Sequence, residues 1–297
     1  MLEVTKLGDV LYMYRTLRTY LIINSIATSI LFSLGICSKM EFIIFIASMT
    51  LAISLGILLL THKYIKYKDA LFVILISALT LSVGFEMLSK YPIGTDVHLE
   101  YYTIELLKSN LAKLGELGYY SDIVFFNFIY IIFGVVTGMQ LINSMKFVGA
   151  FIIALIPLSI YLYVFFVTKD KFSAIVSSIA IMAQFSYVVT LHSTLKQALA
   201  LFIVSILITS MLKFLKTRNA KYGVVYVILS LVLVGLHYTS SFIVAVLVFT
   251  STLLYELLKG SDTVQDKISF PKRTLYIVSS VAVILGLHGT QFSRATF

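Results

Sequence analysis

Residues 70–89 read ALFVILISALTLSVGFEMLS, and the only ionisable side chain among them is Glu86, close to the far end. About 20 apolar residues in a helix rising about 1.5 Å per residue cover the roughly 30 Å hydrocarbon layer of a membrane. Working outward, comparable stretches recur near 20–38, 42–60, 147–168, 173–190, 197–212, 223–236, 242–257 and 274–288, with a shorter one at 123–139. In lipid every backbone N–H and C=O needs an internal partner, and a helix supplies one within the segment itself. The expected fold is therefore all-α: a polytopic transmembrane helical bundle of about nine or ten spans, forming a single transmembrane domain over 1–297. The first 18 residues are mixed, carry Lys6, Arg15 and Arg18, and are followed by no small-residue cleavage site, which reads as a retained helix.

Composition agrees. Charged residues make up 12% of the chain, against roughly 25% in a soluble domain, too few for a polar shell around a core of this size. There are 19 Tyr, 22 Phe and no Trp, so an interfacial aromatic belt has to be built from Tyr. The single cysteine, Cys37, lies in an apolar run and allows no intramolecular disulfide. The net charge of +9 comes from short clusters between apolar runs, which fits orientation on an anionic leaflet rather than nucleic-acid binding.

Those clusters set a topology. Lys63, Lys66 and Lys68 share one loop; Lys213, Lys216, Arg218 and Lys221 another; Lys259, Lys267, Lys272 and Arg273 a third. The positive-inside rule makes all three cytoplasmic, with the N-terminus, in a cell-membrane protein. Segments 90–122, 191–196 and 237–241 then face outward. One place conflicts: three candidate spans separate two outer loops, and Lys169 and Lys171 belong inside. A re-entrant or surface course for 123–139 removes the conflict.

Six acids (Glu86, Asp96, Glu100, Glu105, Glu116 and Asp122) fall between 86 and 122. Within that stretch Pro92 stops the preceding helix, Gly94 permits a turn, and Thr95 or Asp96 can cap the next helix. From 97 to 114, Val97, Tyr101, Ile104, Leu107 (or Leu106), Leu111 and Leu114 recur every three or four positions. This spacing predicts an amphipathic helix on the outer membrane surface. Asp96 and Glu100, four apart, share a helix face, while His98 points elsewhere. A carboxylate there can accept a proton from a sugar hydroxyl or help to hold a divalent cation. The plainer alternative is that Asp96 only caps and Glu100 only meets water.

Two further polar sites fall on the same side. Lys196, with His192, stands at a helix start where an ammonium can pair with a lipid-linked phosphate or simply snorkel. His237 interrupts a long apolar stretch, as a functional group or as the mark of a tight outer turn. No phosphate-binding Gly-rich loop, H-E-x-x-H, G-x-S-x-G or Cys/His zinc spacing is present.

The segment Gly94-Thr95-Asp96-Val97-His98-Leu99-Glu100-Tyr101-Tyr102, with Leu236-His237-Tyr238 downstream, resembles the GT-C superfamily of membrane glycosyltransferases. It is similar in particular to an uncharacterised group of archaeal multi-pass membrane proteins. The resemblance covers roughly 70–260, and its specific part is about nine residues. It implies transfer of a sugar from a polyprenyl-phosphate or polyprenyl-diphosphate carrier to an acceptor on the outer face. It places the catalytic acid at Asp96, supported by Glu100, as base or as ligands of a divalent cation (Mg or Mn). His98, Lys196, His237 and His192 become substrate-binding candidates, expected to converge on one outer cavity. The paired acids often seen in the superfamily are here a lone Asp96 with Glu100 a turn later. The large outer C-terminal domain common there has no counterpart, as expected of a chain truncated before a soluble domain or of a non-catalytic one. A polysaccharide polymerase or flippase-like protein, for which Lys196-Gln197-Ala198 and His237 are loosely suggestive, and a transporter are the alternatives.

Overall fold

The computed structural model describes residues 2–37, 41–91, 96–109, 124–184, 187, 191, 195–217, 219–236 and scattered positions from 242 to 250. Among them the architecture is all-α. The helices are α1 Leu2–Cys37, α2 Glu41–Leu60, α3 Tyr67–Met87, α4 Asp96–Ser109, α5 Val124–Thr137, α6 Leu141–Thr168, α7 Lys171–Met182, α8 Leu195–Thr217 and α9 Ala220–Leu236. Among the described residues four helical stretches are long and apolar enough to cross a membrane: Tyr14–Gly35 within α1, then α3, α6 and α8. The expected spans at 20–38, 42–60, 70–89, 147–168, 197–212 and 223–236 coincide with helices. The run at 274–288 lies outside the described residues.

The chain divides into two compact units, Met1–Val97 with Ile142–Ala198, and His98–Leu141 with Leu199–Phe297. In the first, α1 packs against α2 and α3, and α7 packs against both α2 and α3. Hydroxyl side chains in these helices turn back onto carbonyls four residues earlier, as Ser25 does to Leu21 and Thr50 to Ile46, each at 2.7 Å. This satisfies each hydroxyl within its own helix. Others cross between helices: Asn24 donates to Ser54, and Ser29 pairs with Thr80. α3 meets α1 at Gly84, where an added Cβ would overlap the Phe32 ring.

At one end of this unit Leu21, Leu58, Ile74, Tyr161 and Ile175 form a buried apolar cluster. The basic turns surround it. Arg18 and Tyr14 both hold Asp69, at 2.9 Å. Lys171 donates to the Ile65 carbonyl at 3.1 Å, and the His62 and Phe172 rings lie 5.0 Å apart. His62 is thus half-buried, packed on Phe172 and in hydrogen-bond contact with the Leu59 carbonyl. The 169–171 turn therefore shares an end with the 63–68 turn. At the other end Lys146 of α6 bonds the Glu86 carbonyl in the last turn of α3 and the Ser89 carbonyl just beyond it, so α3 and α6 run antiparallel. Residues 91 and 142 then stand at the same end of the unit. α5, with 14 residues, spans only about 21 Å, too little to cross alone.

In the second unit α5 packs against α9. The α8–α9 turn is capped by Asn219, whose Oδ1 accepts from the Lys221 N–H at 3.0 Å.

Candidate functional site

α4 begins at Asp96, nine positions after α3 ends at Met87. Val97, Glu100, Thr103, Ile104 and Leu107 are its buried residues, while His98, Leu99 and Tyr102 are exposed. Glu100 does not face water: only 2% of its surface is accessible. The reason is geometric. At 100° per residue, position 100 falls at the centre of the arc that also carries 97, 103, 104 and 107, so a helix that buries those residues buries Glu100 with them. His98, offered as a substrate ligand, lies outside that stripe. Tyr101 is half-buried and donates to Glu105 Oε1 at 3.2 Å.

Lys196 does not snorkel. It is 5% exposed in the first turn of α8. Its position follows from Leu195, which packs on α6 so closely at Gly149 that a Cβ there would stand 2.5 Å from Leu195 Cδ2. One turn earlier on α6, Lys146 donates from Nζ to the Glu86 carbonyl at 2.8 Å and to the Ser89 carbonyl. A helix C-terminus carries unpaired carbonyls and a partial negative charge, and an ammonium there answers both. The Glu86 side chain is 3% exposed, and its Oε2 has no hydrogen-bond partner among the described residues.

This end of the first unit thus gathers Glu86, Lys146 and Lys196, with Asp96 at the helix start that follows. Sequence reading had Asp96 and Lys196 as candidates and noted Glu86. It missed Lys146, because the apolar run was drawn from 147 and left the lysine outside. The available signal was a lone ammonium between Met145 and Phe147, since an ionisable residue inside a span marks a functional or structural site. His192, His237 and the Asp96 side chain lie outside the described residues, and with them the expected convergence on one cavity.

Two ammonium groups and a carboxylate in an apolar setting can hold a phosphate and move a proton. Among the described residues no three His, Cys, Asp or Glu side chains cluster as metal ligands. No family model, no curated protein and no solved structure matches this chain.

Proposed function

We propose that this chain is a multi-pass glycosyltransferase of the cell membrane, moving a sugar from a polyprenyl-phosphate or polyprenyl-diphosphate carrier to an acceptor on the outer face. The observation that carries the reading is the place of Asp96, the first residue of a helix that opens soon after a membrane-length helix ends. Half-buried Lys146 and buried Lys196, at the same end of the first unit, supply positive charge for a carrier phosphate. In this reading Asp96 takes the proton from the acceptor hydroxyl, Glu100 supports it, and Lys146 and Lys196 draw the phosphate. A divalent cation held by the acids and the substrate phosphate would add charge neutralisation at the leaving group. His98, His192 and His237 remain candidates for holding the sugar.

The experiment is transfer from a polyprenyl-linked sugar by the purified chain in liposomes, with and without Mg²⁺ or Mn²⁺. Asp96→Asn keeps the ability to cap a helix but cannot act as a base. It should insert and fold normally and lose about 10²–10⁴ in rate. Full activity in that variant would sink the mechanism and leave Asp96 as a cap. Glu100→Gln should do less damage if Glu100 only supports, and comparable damage if both acids share a metal.

A transporter reading draws on one observation: Glu86 and Lys146 both lie within membrane-length helices. Glu86 is in the last turn of α3 and Lys146 in the second turn of α6. That places both at helix ends rather than at mid-depth, where coupled transport sites lie.

A further inference from the structure

We propose that the basic end of the first unit is a binding surface for the headgroups of anionic phospholipids. Three segments far apart in sequence meet there: the 15–18 turn of α1, the 63–68 turn and the 169–171 turn, tied by Arg18–Asp69 at 2.9 Å and by Lys171 to the Ile65 carbonyl at 3.1 Å. Together they carry seven bases (Arg15, Arg18, Lys63, Lys66, Lys68, Lys169 and Lys171) and two acids, Asp69 and Asp170.

Both acids are engaged within the protein. Asp69 accepts from Arg18 and Tyr14. Asp170 accepts from the Phe172 and Ser173 N–H groups and the Ser173 hydroxyl. Seven bases outnumber these two acids, so the surface keeps a net positive charge. Lys63, Lys66, Lys68 and Lys169 are exposed, and the exposed Tyr64 lies among them. An amphipathic ring beside ammonium groups suits the boundary between acyl chains and headgroups.

Lys169 adds an independent observation. Its φ is +59°, the left-handed conformation that closes a helix and that glycine adopts without penalty. Its N–H closes the turn on the Phe165 carbonyl at 3.0 Å. A lysine where glycine is the relaxed choice keeps a charge on this surface at the expense of backbone strain. Orientation of the chain alone needs the sign of the charge, not a lysine at a strained position.

Because the chain contains no Trp, Tyr64→Trp installs a single indole in the turn, which can be excited at wavelengths that the tyrosines do not absorb. The protein would be reconstituted in phosphatidylcholine bilayers containing a minor fraction of a brominated quencher lipid. Brominated phosphatidylglycerol should quench the indole several-fold more strongly than brominated phosphatidylcholine, and high salt should weaken the difference. Replacing Lys63, Lys66, Lys68 and Lys169 together by Gln should bring the two curves together, while Lys90→Gln, at the opposite end of the unit, should leave them apart. Lys169→Gly should reduce the preference without lowering the melting temperature. Equal quenching by the two lipids in the protein with all lysines intact would overturn the proposal. So would a preference that survives the fourfold replacement.

Discussion

The Tyr187 hydroxyl donates to the carbonyl oxygen of Ile153 at 3.3 Å, four residues before Pro157 in the middle of α6. Proline has no N–H, so the Ile153 carbonyl loses the partner that an unbroken helix would give it. In an apolar interior that oxygen would be costly to leave bare, and the tyrosine answers it while also meeting Ser82 of α3 at 3.3 Å. Tyr187→Phe should therefore destabilise the protein by about 1–2 kcal/mol. In a Pro157→Ala background, where the helix supplies its own N–H, the same change should cost less. A double-mutant cycle in equilibrium unfolding measures the coupling, and no coupling would show that the hydroxyl serves only Ser82.

Lys146 ties α6 to the end of α3 through main-chain carbonyls rather than through a carboxylate. Lys146→Met should cost about 2 kcal/mol, the range for hydrogen bonds to a charged group. Glu86→Gln should cost clearly less, because it leaves those bonds in place. Equal losses would mean that the side-chain charge of Glu86 carries the contact.

Gly84→Ala should separate α1 from α3. The added methyl would overlap three atoms of the Phe32 ring, and overpacking of this kind costs about 1–3 kcal/mol. Phe32→Leu in the same chain should recover part of the loss. A Gly84→Ala protein as stable as the parent would show that the ring swings away freely.

Asp170 should make the α7 start sensitive to acid. Bonds from the Ser173 hydroxyl and N–H, then from the Phe172 N–H, with the charge of His62 nearby, hold its carboxyl below the ordinary value of 3.8. A depressed folded-state pKa means that this stabilisation is fully present above the unfolded value and disappears as pH falls through the folded one. Between neutral pH and about pH 4 it should be constant, and below that it should decline. Asp170→Asn removes this part of the acid dependence while keeping a capping oxygen. Identical pH profiles for the two proteins below pH 4 would refute it.

The proposed topology has its own test. In a Cys37→Ser background, Lys90→Cys should react with an impermeant thiol reagent from outside, and Tyr64→Cys only after permeabilisation. The reverse pattern would invert the arrangement and remove the case for outer-face chemistry.

The helices were legible in the sequence because their cause is local. A run such as 70–89 has to bond its own backbone in an apolar medium, and only a helix does that within one segment. The burial of Glu100 was not: the apolar spacing of Val97, Tyr101 and Ile104 leaves Glu100 to water or to a cation, and the packing of α4 buries it.

Which side chain answers which carbonyl was decided only by tertiary structure. Lys146 reaches an oxygen 60 residues away, and Tyr187 one that lies 34 residues earlier. Lys196 is buried because Leu195 seats α8 on Gly149, a fit that no spacing encodes. Hydropathy reports the cost of bringing a segment into lipid and is the same for any packing partner. A polar atom's partner in a low-dielectric interior depends on how neighbouring helices register against each other. The sequence by itself therefore determined an all-α chain built for an apolar medium, and the packing of helices decided where its few charges meet.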